Sequence, residues 1–271
     1  MTRTVSALVL LLSAAATPVP PAVSRWGTSI PAFYEKMARY LARETVHQEI
    51  FGRRTGDVAR RRVLITDYQI NHLLEEPESL WEFRFVRSVD GHARPGVDEE
   101  ISRLAFLRHA SATEERRQIV AIARRESLPG CGWHNLGLVL LAFREPYLPY
   151  FDWSKKGDHF EFRQARGPGI PEDFFDPQSP RHYPTGELWL AADGSASRLD
   201  LRYESEEYNV RMRFTFVPPA AGAPSMPRRV QVSSYRPSST GGALESRVIS
   251  DYSDYREFQV TTEESPGGSR P

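Results

Sequence analysis

A second cysteine is missing from this chain of 271 residues, in which Cys131 stands alone. An internal disulfide is therefore excluded, and a zinc site built on cysteine pairs has no ligands. Cys131 lies three residues before His134, so the thiol is an activated nucleophile, half of a metal site, or a packed free thiol beside a turn. The other histidines show no ligand spacing, and we expect the packed thiol.

Net charge is also lacking, because 35 basic residues balance 35 acidic ones. Phosphate binding requires a net basic surface or a concentrated basic stripe, so nucleic acid is not an expected partner. One basic cluster is interrupted by Gly56 and Asp57, and we interpret it as a solvated hairpin with charged flanks. Its members are Arg53, Arg54, Arg60, Arg61 and Arg62.

Catalytic motifs are absent as well. The sequence has no Gly-x-Ser-x-Gly elbow and no His-Glu-x-x-His pair, which argues against a serine hydrolase and a zinc peptidase. Its carboxylate pairs are adjacent in sequence and indicate solvated surface. We therefore expect no catalytic residue, no metal and no cofactor, although two carboxylates that face each other across a cleft, as in a glycosidase, would leave no sequence signal.

No apolar run is long enough to span a bilayer, and the one at the N-terminus extends from Val5 to Leu12. Arg3 precedes this run, and small residues up to Ala16 follow it. The pattern predicts a Sec-type signal peptide over 1–16 with cleavage after Ala16, the alternative being an uncleaved anchor helix. We expect a periplasmic or secreted protein with no transmembrane anchor after cleavage.

The rest of the chain divides into a Pro-rich linker over 17–28, a single domain over 29–264 and a disordered tail over 265–271. A helix is predicted to begin near Ser29 and to end within 42–48. Its apolar stripe follows the i, i+3, i+4, i+7 spacing and needs a surface to cover. The stripe consists of Ile30, Phe33, Tyr34, Met37 and Leu41.

The last third of the chain, 186–262, contains one alternating segment after another, separated by turn signals such as Asp193-Gly194. Alternation of this kind predicts a meander of five or six strands with one apolar and one charged face. Cross-strand charges such as Asp200 and Arg213 are expected to form a salt-bridged outer face. Earlier strands near Glu49–Phe51, 61–73 and 81–85 extend the sheet.

The middle of the chain is predicted to be helical. One short helix is indicated near 101–105, and Ser111 with Glu114 has the spacing of a capping box that opens a second. The apolar run 135–143 favours a short buried helix over a strand. A hairpin follows around Gly157, and the Pro-rich stretch 166–185 is either a lid, closed by Phe174 and Phe175, or a loose surface excursion.

Several stretches resemble a group of uncharacterised exported proteins common in soil bacteria. Among them are Gly186-Glu-Leu-Trp189-Leu and the segment 249–260, whose motifs are structural. More distantly, the plan of signal peptide, helix, strands, helical insertions and meander is similar to the LolA/LolB-like superfamily of lipoprotein carriers. That resemblance implies an incomplete barrel with a cavity for acyl chains, from which this chain departs by its longer middle section and Pro-rich loop.

The expected fold is thus α+β, with a strongly curved antiparallel sheet of about 8–11 strands covered by an N-terminal helix and a helical insertion. Our first hypothesis is a non-catalytic exported protein that binds a lipid or lipoprotein acyl chain. The alternatives are an envelope interaction module with a filled core and, more distantly, an envelope hydrolase. The expected cavity residues are Phe33, Met37, Leu41, Leu188, Leu190, Leu199, Leu201, Val210, Met212, Phe214, Phe216, Val230 and Val232.

Overall fold

A computed structural model of the chain describes residues 18–72, 80–106, 113–131, 136–167, 169–171, 181–204, 209–217, 225–237 and 242–257. The predicted signal peptide, the proposed lid residues Phe174 and Phe175 and the predicted tail lie outside these ranges.

Thirteen strands are present in the described ranges: β1 Tyr40–Phe51, β2 Val58–His72, β3 Leu80–Val89, β4 His92–Ala93, β5 Phe151–Lys156, β6 His159–Gln164, β7 Ile170–Pro171, β8 Arg181–His182, β9 Thr185–Leu190, β10 Ala196–Glu204, β11 Asn209–Phe216, β12 Pro227–Arg236 and β13 Ala243–Glu257. Eleven of them form one sheet in the order β4-β3-β2-β1-β13-β12-β11-β10-β9-β6-β5, while β7 and β8 pair separately. The large sheet is curved and does not close. The prediction of a β-rich α+β fold with an unclosed sheet is confirmed.

The helices are α1 Pro21–Met37, α2 Val97–Phe106, α3 Thr113–Glu126 and α4 Leu136–Leu141, and a 3₁₀ helix follows at Glu145–Tyr150. The predicted helices of the middle section are therefore confirmed, including the short buried helix that precedes the β5–β6 hairpin.

The start and end of α1 correct two predictions. The helix begins at Pro21, so the linker predicted over 17–28 is wrong from that residue onward. Proline suits a first turn, and Val23, Trp26 and Ile30 continue one buried stripe that the prolines obscured in the sequence. The helix ends at Met37, so Leu41 lies on β1, where it is half-buried.

Strand β1 also begins earlier than predicted, at Tyr40 and not near Glu49, where we expected the helix to have just ended. Its buried side chains are Ala42, Glu44, Val46 and Gln48, which alternate with more exposed neighbours. Two of these four are polar, so an apolar-polar alternation does not appear in the sequence. The strand pairs with β2 on one side and β13 on the other.

The predicted meander is confirmed, because β9 to β13 are consecutive neighbours in the sheet. Their inner face is apolar, with Leu188 opposite Leu199 and Phe214 opposite Val230. On the outer face Asp200 accepts hydrogen bonds from Arg198 and Arg213, as the charge pattern predicts. Each such exposed pair contributes only about 0.2–1 kcal/mol.

Candidate functional site

Most of the predicted cavity residues lie in the tightly packed hydrophobic core. The buried ones are Met37, Leu188, Leu199, Leu201, Val210, Met212, Phe214, Phe216 and Val230, and the half-buried ones are Phe33, Leu41, Leu190 and Val232. All except Leu41 belong to or pack against one continuous cluster. The structure therefore packs these side chains together in the core, and their role in ligand binding stays a prediction.

Aromatic rings fill the end of the sheet beneath α1. Phe143 stacks on Phe151 with centroids 5.0 Å apart and meets the edge of Phe162 at 5.1 Å. Gly27 lets α1 approach this cluster, because a Cβ atom there would lie 2.6 Å from Leu148 Cδ1. Helix α1 thus packs against the 3₁₀ helix and against the aromatic cluster that includes the β5–β6 hairpin.

An apolar pocket of about 190 Å³ opens along one flank of α1. Trp26, Ile30 and Phe33 line it from the helix, and the opposite wall is formed by α4 and by the ends of β10 and β11. The full lining consists of Trp26, Ser29, Ile30, Ala32, Phe33, Lys36, Leu140, Ser195, Ala196, Phe216 and Ser225.

The pocket forms where β10 and β11 end and where small residues line its walls. Ala196 is the first residue of β10 and Phe216 the last of β11, so within the described residues these two strands end at the pocket. On the helix side, Ala32 has too small a side chain to close the opening. Of the predicted cavity residues, Phe33 and Phe216 line this pocket.

A buried ion cluster lies on the inner face of the neighbouring strands. Arg84 Nε is 2.9 Å from Glu44 Oε2, and Arg84 Nη2 is 3.3 Å from Glu82 Oε2. All three side chains are at most 5% exposed. Thr66 Oγ1 donates a further hydrogen bond of 2.8 Å to Glu44. Two carboxylates thus share one guanidinium inside the protein.

The same cluster is linked by hydrogen bonds to α4, and α4 in turn to α1, which are the two helices that border the pocket. Glu82 Oε1 accepts a 2.6 Å hydrogen bond from the backbone N–H of Gly137, in the first turn of α4. Tyr34 Oη, on α1, donates to the carbonyl oxygen of Gly137 at 2.5 Å. Because α4 supplies Leu140 to the pocket, we interpret the ion cluster as an element that positions α4.

This cluster was not predicted from the sequence, because Phe83 and Phe85 alternate with Glu82 and Arg84 on β3. A half-buried strand would bury the aromatic side and expose the charged one. Here both sides of β3 are covered. Phe83 and Phe85 pack against Val97 of α2, while Glu82 and Arg84 are buried on the opposite side. A charged residue inside an aromatic strand was the one available signal.

Glu82 provides a pH-dependent prediction. Burial raises the pKa of Glu82 to about 7, above its ordinary value of 4.5. Between these values the folded state binds the proton more tightly than the unfolded state, so this carboxyl makes the protein less stable as pH rises from about 5 to 7. The contribution is on the order of 3 kcal/mol.

Urea unfolding at pH 5 and pH 8 measures this effect. Glu82→Gln retains an acceptor for Gly137 and cannot titrate, so its free energy of unfolding should fall less between the two pH values than that of the wild type. An equal fall in both proteins would show that Glu82 does not titrate in this range.

Cys131 is a packed thiol, as expected. It is buried, its Sγ lies 3.7 Å from the carbonyl oxygen of Glu49, and burial raises its pKa to about 11. A thiol that stays protonated at neutral pH is a poor nucleophile.

Comparisons with known proteins give no family assignment. No family model matches the chain, and no curated protein does. A crystal structure of a DUF1329 family protein from Desulfovibrio piger has a TM-score of 0.40 and 11% identity, with 89% of this chain and 93% of that one covered. Neither the LolA/LolB-like resemblance nor a soil-bacterial origin receives support from these comparisons.

Within the described ranges, no helix has both the length and the apolar character needed to cross a bilayer.

Proposed function

We propose that this is an exported, non-catalytic protein that binds a hydrophobic chain in the pocket beside α1. The observation that carries the proposal is the apolar lining of this pocket by Trp26, Ile30, Phe33 and Phe216. Transfer of an apolar chain from water onto such surfaces contributes roughly 25 cal/mol for each Å² removed from water.

The pocket's size restricts what enters it. Sites for drug-sized ligands usually measure about 300–1,000 Å³, and this pocket of about 190 Å³ is smaller. A single acyl segment suits such a volume, with the remainder of the ligand outside. A pocket of this size is smaller than the cavity along the whole concave face that we expected from the sequence. An acyl segment is also the kind of ligand that the LolA/LolB-like resemblance implies.

A non-catalytic role is supported by the composition of the lining, whose described residues include no Asp, Glu or His. The buried carboxylates Glu44 and Glu82 lie elsewhere, beneath the helices, where a substrate has no access. An envelope interaction module remains the second candidate, because the filled core of the concave face favours it. In that case an apolar side chain of a partner protein would occupy the pocket.

Filling the pocket tests the first candidate. Ala32 is exposed on α1 at the opening, so Ala32→Trp should fold normally while its ring occupies the pocket. We expect affinity for N-phenyl-1-naphthylamine, a neutral apolar probe, to fall about tenfold or more, because the apolar surface that it would cover is already covered. Fluorescence titration measures this.

Glu35→Trp is the matched control, because Glu35 is exposed on the same helix and does not line the pocket. This variant should bind the probe as the wild type does. Equal weakening in both variants would place the probe elsewhere. No binding to the wild type would overturn the proposal and favour the interaction module.

A further inference from the structure

Lys36 places a positive charge at the opening of the pocket. It lies in the last turn of α1, is exposed, and makes no salt bridge within the part of the chain that the structure describes. The carbonyl groups around it are already satisfied, because Ala38 N–H donates to Tyr34 O and Arg39 N–H donates to Lys36 O. The ammonium group is therefore the charged group that a ligand meets at this end of the pocket.

The other polar groups of the lining differ in what they can offer. Ser29 Oγ donates to Trp26 O at 2.7 Å, and Ser195 Oγ donates to Asp193 Oδ1 at 2.7 Å, so these two protons are committed. Ser225 Oγ, by contrast, is buried and has no hydrogen-bond partner among the described residues. This hydroxyl has almost no accessible surface, so it offers a ligand in the pocket no contact, and the charged group of the lining is Lys36.

Charge in the lining also has one sign. In the described part of the chain no acidic side chain lines the pocket, and Asp193, which contacts the lining residue Ser195, does not line it. Its carboxylate accepts hydrogen bonds from both the backbone N–H and the hydroxyl of Ser195. An acidic group on a ligand therefore meets the unpaired ammonium group of Lys36, and no carboxylate among the described lining residues repels it.

Building on the proposed function, we infer that the ligand is a single-chain anionic amphiphile, with its acyl chain in the pocket and its acidic group at Lys36. A fatty-acid carboxylate and the phosphate of a single-chain phospholipid share this chemistry. Exposed ion pairs are weak and screened by salt, so the acidic group should improve affinity roughly two- to fivefold at low ionic strength.

Competition against N-phenyl-1-naphthylamine with decanol, decanoate and decyl phosphate tests the inference. The three compounds share one chain length and differ only in the head group. At low salt the wild type should bind both anions more tightly than decanol, and the preference should shrink at high salt. The ratio between the two anions distinguishes the carboxylate from the phosphate source.

Lys36→Gln should remove the preference of the protein for the two anions over decanol. Arg39→Gln removes the same charge from an exposed residue outside the lining and should keep the preference. Equal binding of decanol and decanoate, or equal loss in both variants, would overturn the inference while the pocket's apolar function stands. Failure of all three compounds to bind would overturn the proposed function itself.

Discussion

Arg84→Met is expected to lower the free energy of unfolding at neutral pH by about 3–5 kcal/mol. The Arg84 guanidinium lies between Glu44 and Glu82, and all three side chains are almost fully buried. Its removal leaves two buried carboxylates without a cation, and taking an unpaired charge out of water costs far more than an ion pair returns. Urea denaturation followed by circular dichroism measures the loss.

Arg213→Met is the matched control. Arg213 pairs with Asp200 on the outer face, where its own side chain is 53% exposed, so its loss should cost less than about 1 kcal/mol. A variant that combines Arg84→Met with Glu44→Gln and Glu82→Gln removes every charge of the cluster and should recover part of the stability. If Arg84→Met cost no more than Arg213→Met, the ion cluster would not hold the inner face together.

Gly186→Ala is expected to cost about 3 kcal/mol through steric overlap. A Cβ atom at Gly186 would overlap the carbonyl oxygen of Asp200 and would lie 2.7 Å from Phe162 Cζ. The first contact is with the backbone of β10, which cannot move without shifting the register in which Gly186 faces Leu201. Thermal and urea unfolding should both show the loss.

Gly194→Ala separates overlap from backbone strain. Gly194 has a φ of 84°, and a Cβ atom added there would have no neighbouring atom within 4 Å. Alanine at this position therefore meets only the penalty of the left-handed region, about 1–2 kcal/mol. A Gly186→Ala protein as stable as the wild type would mean that β9 and β10 adjust freely, contrary to the close approach of Gly186 to the backbone of Asp200.

The meander could be predicted from sequence because one of its faces is wet. Leu199 and Leu201 alternate with Arg198, Asp200 and Arg202, so period and burial agree. The same logic failed on β1 and β3, whose inner faces carry Glu44, Gln48, Glu82 and Arg84. Their burial depends on where α3 and α4 dock, which is tertiary information that no local period contains.

The pocket shows the same limit. Phe33 and Phe216 were predicted as cavity residues, whereas Trp26 was hidden by the interpretation of 17–28 as a linker. Leu140 and Ala196 carry no signal of their own, because a pocket is a space left between elements and depends on how they dock. The volume between α1 and the strand ends is therefore accessible only from the folded structure.

Photoaffinity labelling tests the central claim, that an apolar chain enters the pocket beside α1, most directly. A decyl alcohol with a diazirine at the end of its chain makes the test independent of Lys36. Trypsin cleaves after Arg25 and Lys36, so residues 26–36, which hold more than half of the lining, leave as one peptide. We predict labelling of that peptide, which excess decanol and Ala32→Trp both abolish. Labelling confined to peptides that hold no lining residue would contradict the account, and so would labelling that Ala32→Trp leaves unchanged.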